Sequence, residues 1–243
     1  MELCGKTAIV TGGAVRLGRA IALALANAGV RIVLHSFRSG SEAEQTRNEI
    51  RALGSQAVTI QADLSRPLES ARTIIKQARD EFGTVDILIN NAAIFQDSCL
   101  AEVSGDEWDR SFAVNLKSPF FLCREFAAQR RPRQRRHIVN IADRRAMRPG
   151  RGYLVYTLTK SGLISLTQNL ALELAPDVQV NAIAPGAILP PPGRDDNYLH
   201  ELAQKIPLRR TGSPQEVTEA VLYLLRSDFM TGAVLPVAGG EQL

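Results

Sequence analysis

The amino-terminal segment reads Thr7-Ala8-Ile9-Val10-Thr11-Gly12-Gly13-Ala14-Val15-Arg16-Leu17-Gly18, an apolar run that enters a glycine-rich turn. A short apolar run bounded by turn residues is typical of a buried strand. Beyond the turn, apolar residues recur at helical spacing from Leu17 to Ala28, and Gly29 ends the pattern. The segment therefore predicts a strand, a tight turn and a helix whose free N–H groups face a bound pyrophosphate. A tight turn without a ligand is the alternative interpretation.

Strands and helices alternate from this segment to the end of the 243-residue chain. Further strands are predicted at 31–34, 57–61, 85–90, 137–141, 178–183 and 233–237, and further helices at about 41–53, 68–82, 105–128, 153–175 and 214–226. Apolar strands separated by amphipathic helices indicate βαβ units. The predicted fold class is α/β, with a single doubly wound parallel sheet of the Rossmann type, flanked by helices on both faces, in one domain over residues 1–243. The proline-rich stretch at about 186–207 follows a strand, so we expect a substrate loop or lid there.

Composition excludes several other classes of protein. The three cysteines, Cys4, Cys99 and Cys123, show no CxxC spacing, which indicates free thiols in a cytoplasmic protein, and no cluster has the spacing of metal ligands. No apolar run reaches about 18 residues, so no membrane span is expected. A strand that begins near Lys6 leaves no room for a signal peptide. The basic stretch Arg130–Arg136 lacks aromatic support for nucleic-acid binding and is predicted to be a solvated loop.

The second strand ends in His35-Ser36-Phe37-Arg38-Ser39. Enzymes that use NAD usually carry Asp or Glu here for the ribose 2′-hydroxyl, whereas Arg38 and Ser39 suit a 2′-phosphate. The sequence therefore predicts NADP(H), although a simple surface arginine is the alternative for Arg38. Arg16 is a long cation in a glycine-rich turn, and we expect it to face phosphate as a forked donor. Asp63 follows the third strand, where it either accepts from the adenine amino group or forms a turn before the helix.

Tyr156 and Lys160 lie four residues apart at the start of a predicted helix, which places the phenol and the ammonium group on one face. A nearby cation lowers a tyrosine pKa, so we expect Tyr156 to be a usable proton donor near neutral pH. Such a pair taken alone is more often found at a protein surface. Behind a dinucleotide-binding turn it indicates a catalytic pair.

Five motifs resemble, in order and spacing, those of the short-chain dehydrogenases/reductases: Thr11-Gly12…Gly18, Asn90-Asn91-Ala92-Ala93, Asn115, Tyr156-xxx-Lys160 and Pro185-Gly186. The resemblance implies that Asn115, Tyr156 and Lys160 are catalytic, with Lys160 also holding the nicotinamide ribose. It implies cofactor contacts from Gly12, Arg16, Leu17, Gly18, His35, Arg38, Ser39, Asp63, Leu64, Asn91, Ala92, Tyr156, Lys160, Pro185, Gly186 and Ile188. A homotetramer is expected from the resemblance as well, although Ala238 stands where the family usually has aspartate.

Three departures from the family pattern resemble its pteridine reductase subgroup. Arg16 replaces the middle glycine of the turn, Asp143 replaces the catalytic serine, and Phe95 follows the Asn-Asn-Ala motif. An ionised carboxylate at position 143 would repel the oxyanion of a reacting ketone and raise the pKa of Tyr156. It favours instead a ring with N–H groups, on which Phe95 stacks. The implied substrate contacts are Arg16, Phe95, Asp143 and Tyr156, while a solvent-facing Asp143 and a core Phe95 are the alternatives.

The sequence thus predicts an NADPH-dependent reductase of dihydropterins or dihydrofolate, in which hydride adds to a ring C=N bond and Tyr156 and Asp143 serve the proton. A carbonyl reductase of the 3-oxoacyl-[acyl-carrier-protein] type is the first alternative, and an NADPH-sensing protein without turnover is the second. Arginines crowd the loop after Asp143, where they either attract an anionic tail, such as the glutamate of a folate, or form a solvated loop: Arg144, Arg145, Arg148 and Arg151. Along one helix, Trp108, Phe112 and Phe120 are expected in the core or at a subunit interface.

Overall fold

A computed structural model describes residues 1–129, 135–191 and 196–243 of the chain. Seven strands alternate with the helices, as predicted: β1 (Thr7–Thr11), β2 (Arg31–Ser36), β3 (Ala57–Gln61), β4 (Ile87–Asn90), β5 (Arg136–Ile141), β6 (Val178–Pro185) and β7 (Val234–Val237). The α-helices are α1 (Arg16–Asn27), α2 (Gly40–Ala52), α3 (Pro67–Phe82), α4 (Gly105–Phe112), α5 (Ser118–Ala127), α6 (Leu154–Leu174), α7 (Asp196–Ala203) and α8 (Pro214–Arg226). None of the helices in these ranges is long and apolar enough to cross a membrane.

The strands form one sheet in the order β3-β2-β1-β4-β5-β6-β7, and every pair is parallel. This is the doubly wound arrangement, so the predicted fold class is confirmed. The strand order reverses between β1 and β4, and a crevice opens there at the carboxyl ends of the strands. The loops that follow β1, β4 and β5 are therefore neighbours in space.

The core consists of two apolar clusters, one on each face of the sheet. In β1, Val10 packs with Ile21 of α1 and Val221 of α8, whereas Ile9 packs in the other cluster with Ile74 of α3. Because successive strand residues point to opposite faces, a strand covered on both sides needs apolar residues at every position. This requirement explains the uninterrupted apolar runs from which the strands were predicted.

The single helix predicted at 105–128 is divided into three parts. A π-helical turn at Ala113–Lys117 separates α4 from α5. Such turns insert one extra residue into a helix and are frequent at functional sites. Two of the aromatic residues expected in the core or at an interface are not core, because Trp108 is 40% exposed and Phe120 is 43% exposed.

Two predicted loops differ from the expectation. The stretch at 186–207 is not irregular throughout, because it contains α7, while residues 192–195 lie outside the described part. Most of the basic stretch, residues 130–134, also lies outside the described ranges. Arg136 is not solvated as predicted: it is 2% exposed, opens β5 and donates from Nη1 to the carbonyl of Phe126 at 2.9 Å. Its guanidinium group lies over the Phe126 ring, which explains how a cation is accommodated there.

Candidate active site

The glycine-rich turn after β1 brings the backbone close to neighbouring chain segments. Gly12 has a φ of +61°, and a Cβ at that position would lie 3.1 Å from the Cα of Ala92. A Cβ on Gly18 would overlap the carbonyl oxygen of Gly12. Arg16 begins α1 with a φ of +53°, a left-handed conformation that glycine adopts far more readily. The turn therefore requires its glycines, and it tolerates Arg16 at a cost in backbone strain.

His35 and Thr46 hold this turn in place. The backbone N–H of Gly12 donates to Nδ1 of His35 at 3.3 Å, so the ring proton is on Nε2, which lies 3.1 Å from the carbonyl of Ala62. Burial lowers the pKa of His35 to about 4, which keeps the imidazole neutral and Nδ1 free to accept. Thr46 donates its hydroxyl to the carbonyl of Ala14 at 2.9 Å. The His35 side chain thus stabilises the turn by accepting from the backbone N–H of Gly12.

A cavity of about 420 Å³ lies beside the turn, and we call it the turn cavity. It contains the predicted residues Gly12, Arg16, Leu17, Gly18, His35, Arg38, Ser39, Asp63, Leu64, Asn91 and Ala92. In the described part of the chain Arg38 contacts no carboxylate, and its guanidinium group lies over the Phe37 ring. Asp63 accepts from the backbone N–H of Ser65 at 2.9 Å, so it forms the turn before the helix. It also lines the turn cavity.

A second cavity of about 380 Å³ surrounds Tyr156, and we call it the tyrosine cavity. It contains the other predicted residues except Asn115, namely Phe95, Asp143, Tyr156, Lys160, Pro185, Gly186 and Ile188, and α7 contributes Tyr198, Leu199 and Leu202. Arg16, Leu17, Asn91 and Ala93 line both cavities, which therefore form one continuous groove. Arg16 donates to the carbonyl of Pro190, a contact that the sequence did not predict.

The Tyr156 hydroxyl donates to Oδ2 of Asp143 at 2.9 Å, so Asp143 does not point to solvent. The other carboxylate oxygen, Oδ1, accepts from the backbone N–H of Arg145 at 2.7 Å. Burial and the Asp143 charge raise the pKa of Tyr156 well above its usual value. The expectation that a nearby cation lowers this pKa is therefore wrong, because desolvation and the carboxylate outweigh it. Tyr156 remains protonated over the whole neutral range.

Lys160 is buried beneath this pair. Its Nζ donates to the carbonyl of Ile141 at 2.6 Å and lies 5.6 Å from the centre of the Tyr156 ring. Burial lowers the pKa of Lys160 to about 8, and the negative charge of Asp143 opposes that change. The ammonium group is therefore charged at neutral pH and close to its titration range.

Asn115 lies in the π-helical turn and lines neither cavity. Its Oδ1 accepts from the backbone N–H of Ile94 at 2.7 Å, and its Nδ2 donates to the Ile94 carbonyl at 2.9 Å and to Thr159 Oγ1 at 3.2 Å. These bonds join the loop after β4 to helix α6. Asn115 thus holds two segments of the site together, and the catalytic role that the resemblance implies for it stays a prediction.

The ring of Phe95 lies against two tyrosines. It meets Tyr156 edge to face at 4.7 Å and stacks on Tyr153 at 4.3 Å with an interplanar angle of 14°. Phe95 is 36% exposed, so it is not an ordinary core residue. Tyr153 was not predicted as a site residue; it precedes α6 with a left-handed φ of +56°, and no sequence motif marks its stack on Phe95.

Asp97 and Ser98, in the loop that contains Phe95, bind the start of α6. The backbone N–H of Tyr153 donates to Asp97 Oδ1 at 3.3 Å, and that of Val155 donates to Ser98 Oγ at 3.2 Å. Free N–H groups at a helix start need such acceptors, which usually belong to the preceding residue. Here a separate loop supplies them, so the position of Phe95 is coupled to that of Tyr156.

Glu241 also lines the tyrosine cavity, and no motif in the sequence marks it. One of its oxygens accepts from the backbone N–H of Ala187 at 2.7 Å, and the other pairs with Nε of Arg144 at 2.9 Å. The carboxyl-terminal segment thereby fixes the loop after β6 and one arginine of the cavity wall.

Comparison with known proteins agrees with this geometry. A family model described as enoyl-(acyl carrier protein) reductase matches residues 13–242. The chain belongs to the short-chain dehydrogenase/reductase family. Among curated family members, the 3-oxoacyl-[acyl-carrier-protein] reductase FabG of Staphylococcus epidermidis is 32% identical over 240 residues, which is 97% of this chain and 98% of that protein.

Two solved structures are also similar. The FolM alternative dihydrofolate reductase 1 from Brucella canis has a TM-score of 0.94 and 35% identity, covering 99% of this chain and 95% of its own. The corresponding protein from Brucella suis has a TM-score of 0.93 and 36% identity, covering 100% of this chain and 96% of its own. Both were crystallised with NADP, in agreement with the cofactor expected from the sequence.

Proposed function

We propose that this protein is an NADPH-dependent reductase that converts a dihydropterin or dihydrofolate to its tetrahydro form. The hydrogen bond between Tyr156 and Asp143 carries the proposal. A reacting ketone develops negative charge on its oxygen and needs neutral donors around it. A carboxylate in that place disfavours an oxyanion and favours N–H donors. A pterin ring offers such donors beside its reducible C=N bond.

The groove fits NADP(H) along its length. Gly12 and Gly18 allow the tight turn that leads into α1, because a Cβ at either position would meet neighbouring protein atoms, and the N-terminus of α1 suits a pyrophosphate. Arg38 at the other end of the turn cavity suits a 2′-phosphate. When bound, this cofactor supplies the hydride. The NADP-bound structures of the two FolM proteins support the assignment.

The proton chemistry falls to residues of the tyrosine cavity. Tyr156 holds its proton because burial and Asp143 keep its pKa high. Asp143 accepts from Tyr156 now and would accept from ring N–H groups of a bound pterin. Proton delivery to the ring nitrogen then runs from Tyr156, with Asp143 fixing the orientation of the ring. Lys160 places a positive charge behind the phenol and limits the repulsion between Asp143 and any negative charge that forms on Tyr156.

A substrate panel tests the proposal. The purified protein is mixed with NADPH and, separately, with dihydrobiopterin, dihydromonapterin, dihydrofolate and an acetoacetyl-[acyl-carrier-protein]. Consumption of NADPH with at least one of the three dihydro compounds is expected. If all three remain unreduced, the proposal is wrong.

A carbonyl reductase of the 3-oxoacyl-[acyl-carrier-protein] type is the second candidate. The identity with FabG proteins, 32% over nearly the whole chain, favours it. Asp143 argues against it, because the carboxylate takes the place of the serine donor that the family uses for ketones. Turnover of the acetoacetyl substrate, with the dihydro compounds inert, would select this candidate.

We also propose that the protein is a cytoplasmic homotetramer. Trp108, Phe120 and Leu158 support this assembly because they expose large apolar surfaces on three consecutive helices. The mass of the protein in solution, measured by light scattering, checks the assembly, and a monomeric mass would contradict it.

A further inference from the structure

Three arginines line the tyrosine cavity, and within the described ranges one of them pairs with a carboxylate. Arg144 pairs with Glu241, and Arg16 donates to the carbonyl of Pro190. Arg145 forms no ion pair with any carboxylate in the described ranges of the chain. Asp97, which lies beside Tyr153, is engaged with the backbone N–H of that residue. A half-buried guanidinium group at a cavity wall therefore has its charge unmatched.

The local structure holds the Arg145 side chain in place. Its guanidinium carbon lies 4.7 Å from the centre of the Tyr153 ring, and Nη1 lies 3.4 Å from the carbonyl of Arg151. A Cβ at Gly150 would approach Nη1 to 3.3 Å, so the glycine leaves room for the group. A guanidinium that stacks on an aromatic face keeps N–H donors at its edge, where they match the two oxygens of a carboxylate.

Arg145 stands at the end of a row of stacked side chains. Its guanidinium lies on Tyr153, Tyr153 stacks on Phe95, and Phe95 meets Tyr156. A flat ring bound at Tyr156 and Asp143 would thus direct a long substituent past Phe95 and Tyr153. Asp143 at the inner end favours N–H donors, and Arg145 at the outer end favours a negative group.

We propose that Arg145 forms a carboxylate subsite at the mouth of the tyrosine cavity, which selects a pterin with an anionic tail over one with a neutral tail. The inference rests on the proposed reduction of pterins. The cavity volume of about 380 Å³ suits a ligand larger than a bare bicyclic ring. Arg145 is on this basis a specificity-determining residue, distinct from the proton-handling pair Tyr156 and Asp143.

The test compares two substrates that share the pterin ring and differ in the charge of the tail: dihydrofolate and the dimethyl ester of its glutamate carboxylates. Arg145→Gln should raise the KM for dihydrofolate about tenfold or more, as expected for a lost charge-assisted hydrogen bond. The KM for the diester should change less than about twofold, since an ester offers no charge to the arginine. Arg145→Lys should fall between the wild type and Arg145→Gln, because it keeps the charge without the planar fork. Arg148→Gln is the matched control, because Arg148 belongs to the same loop without lining the cavity.

A second measurement separates this inference from the proposed function. Folate is titrated by calorimetry into the NADP-loaded wild type and the Arg145→Gln variant, with no turnover needed. Weaker binding of folate to the variant supports the subsite, whether or not any dihydro compound is reduced. A lack of reduction would contradict only the proposed function. Equal effects of Arg145→Gln on dihydrofolate and on its diester, or equal folate affinities, overturn the subsite and leave pterin reduction standing.

Discussion

Replacing Asp143 with serine should lower the activity on dihydropterins and raise the activity on 3-oxoacyl substrates. Asp143 accepts from the Tyr156 hydroxyl at 2.9 Å and from the backbone N–H of Arg145 at 2.7 Å. Serine also accepts backbone N–H groups at helix starts, so the short 3₁₀ turn at Arg144–Ala146 should persist. The substitution removes a charge beside Tyr156 and adds a neutral donor there.

The expected magnitudes follow from these contacts. A hydrogen bond to a charged group contributes roughly 1.5–3 kcal/mol, and each 1.4 kcal/mol corresponds to about a tenfold change in rate. Loss of the carboxylate should therefore lower kcat/KM for a dihydropterin about 10- to 100-fold. A correctly placed donor to an oxyanion is worth about 100-fold or more, so kcat/KM for a 3-oxoacyl substrate should rise by about that factor.

The assay follows NADPH consumption by the wild type, Asp143→Ser and Asp143→Asn with both substrate classes. Asn keeps the shape and an accepting oxygen while removing the charge, so it separates charge from geometry. NADPH affinity serves as the control for folding, because Asp143 does not line the turn cavity. Unchanged dihydropterin reduction by Asp143→Ser would refute the role assigned to the carboxylate.

Three further changes test other parts of the site. Arg38→Ala should weaken NADPH binding about 10- to 100-fold, with little effect on NADH, in a fluorescence titration, and equal losses for both would contradict a 2′-phosphate site. With NADPH saturating, kcat/KM should fall as pH rises through about 8, because Lys160 loses its charge there while Tyr156 remains protonated, and a profile flat through this pH would contradict it. Ser98→Ala removes a buried acceptor for Val155 and should cost about 1 kcal/mol, which lowers the melting temperature by about 2–4 °C in calorimetry. An unchanged melting temperature would show that the loop does not cap α6.

The fold was predictable because its signals are local. Strands buried on both faces are continuous apolar runs, and the intervening helices have a clear period, so both appear in short windows of sequence. The predicted 214–226 helix forms at Pro214–Arg226, where Ser213 and Glu216 make a capping box. The π-helical turn at Ala113–Lys117 had no such signal, because the segment contains no glycine or proline, and Asn115 within it bonds to the distant residue Ile94.

The parts of the site that the sequence missed depend on contacts between distant segments. Glu241 follows β7 and pairs with Arg144, which follows β5, and nothing in either segment marks the other. Tyr153 joins the site through its stack on Phe95. The high pKa of Tyr156 arises from burial, which spacing along a helix cannot reveal. Residue type and order identified the candidates, whereas burial and partners decided what each one does.

The three departures from the family pattern occupy one place in the molecule. Arg16 follows β1, Phe95 follows β4 and Asp143 follows β5, and these strands are adjacent in the sheet. All three residues line the tyrosine cavity. Arg16 is retained there in a left-handed conformation that disfavours any residue with a Cβ by about 1–2 kcal/mol. Backbone strain is found mostly at functional sites, so the three substitutions together support the proposal of a substrate that presents a flat ring with N–H groups.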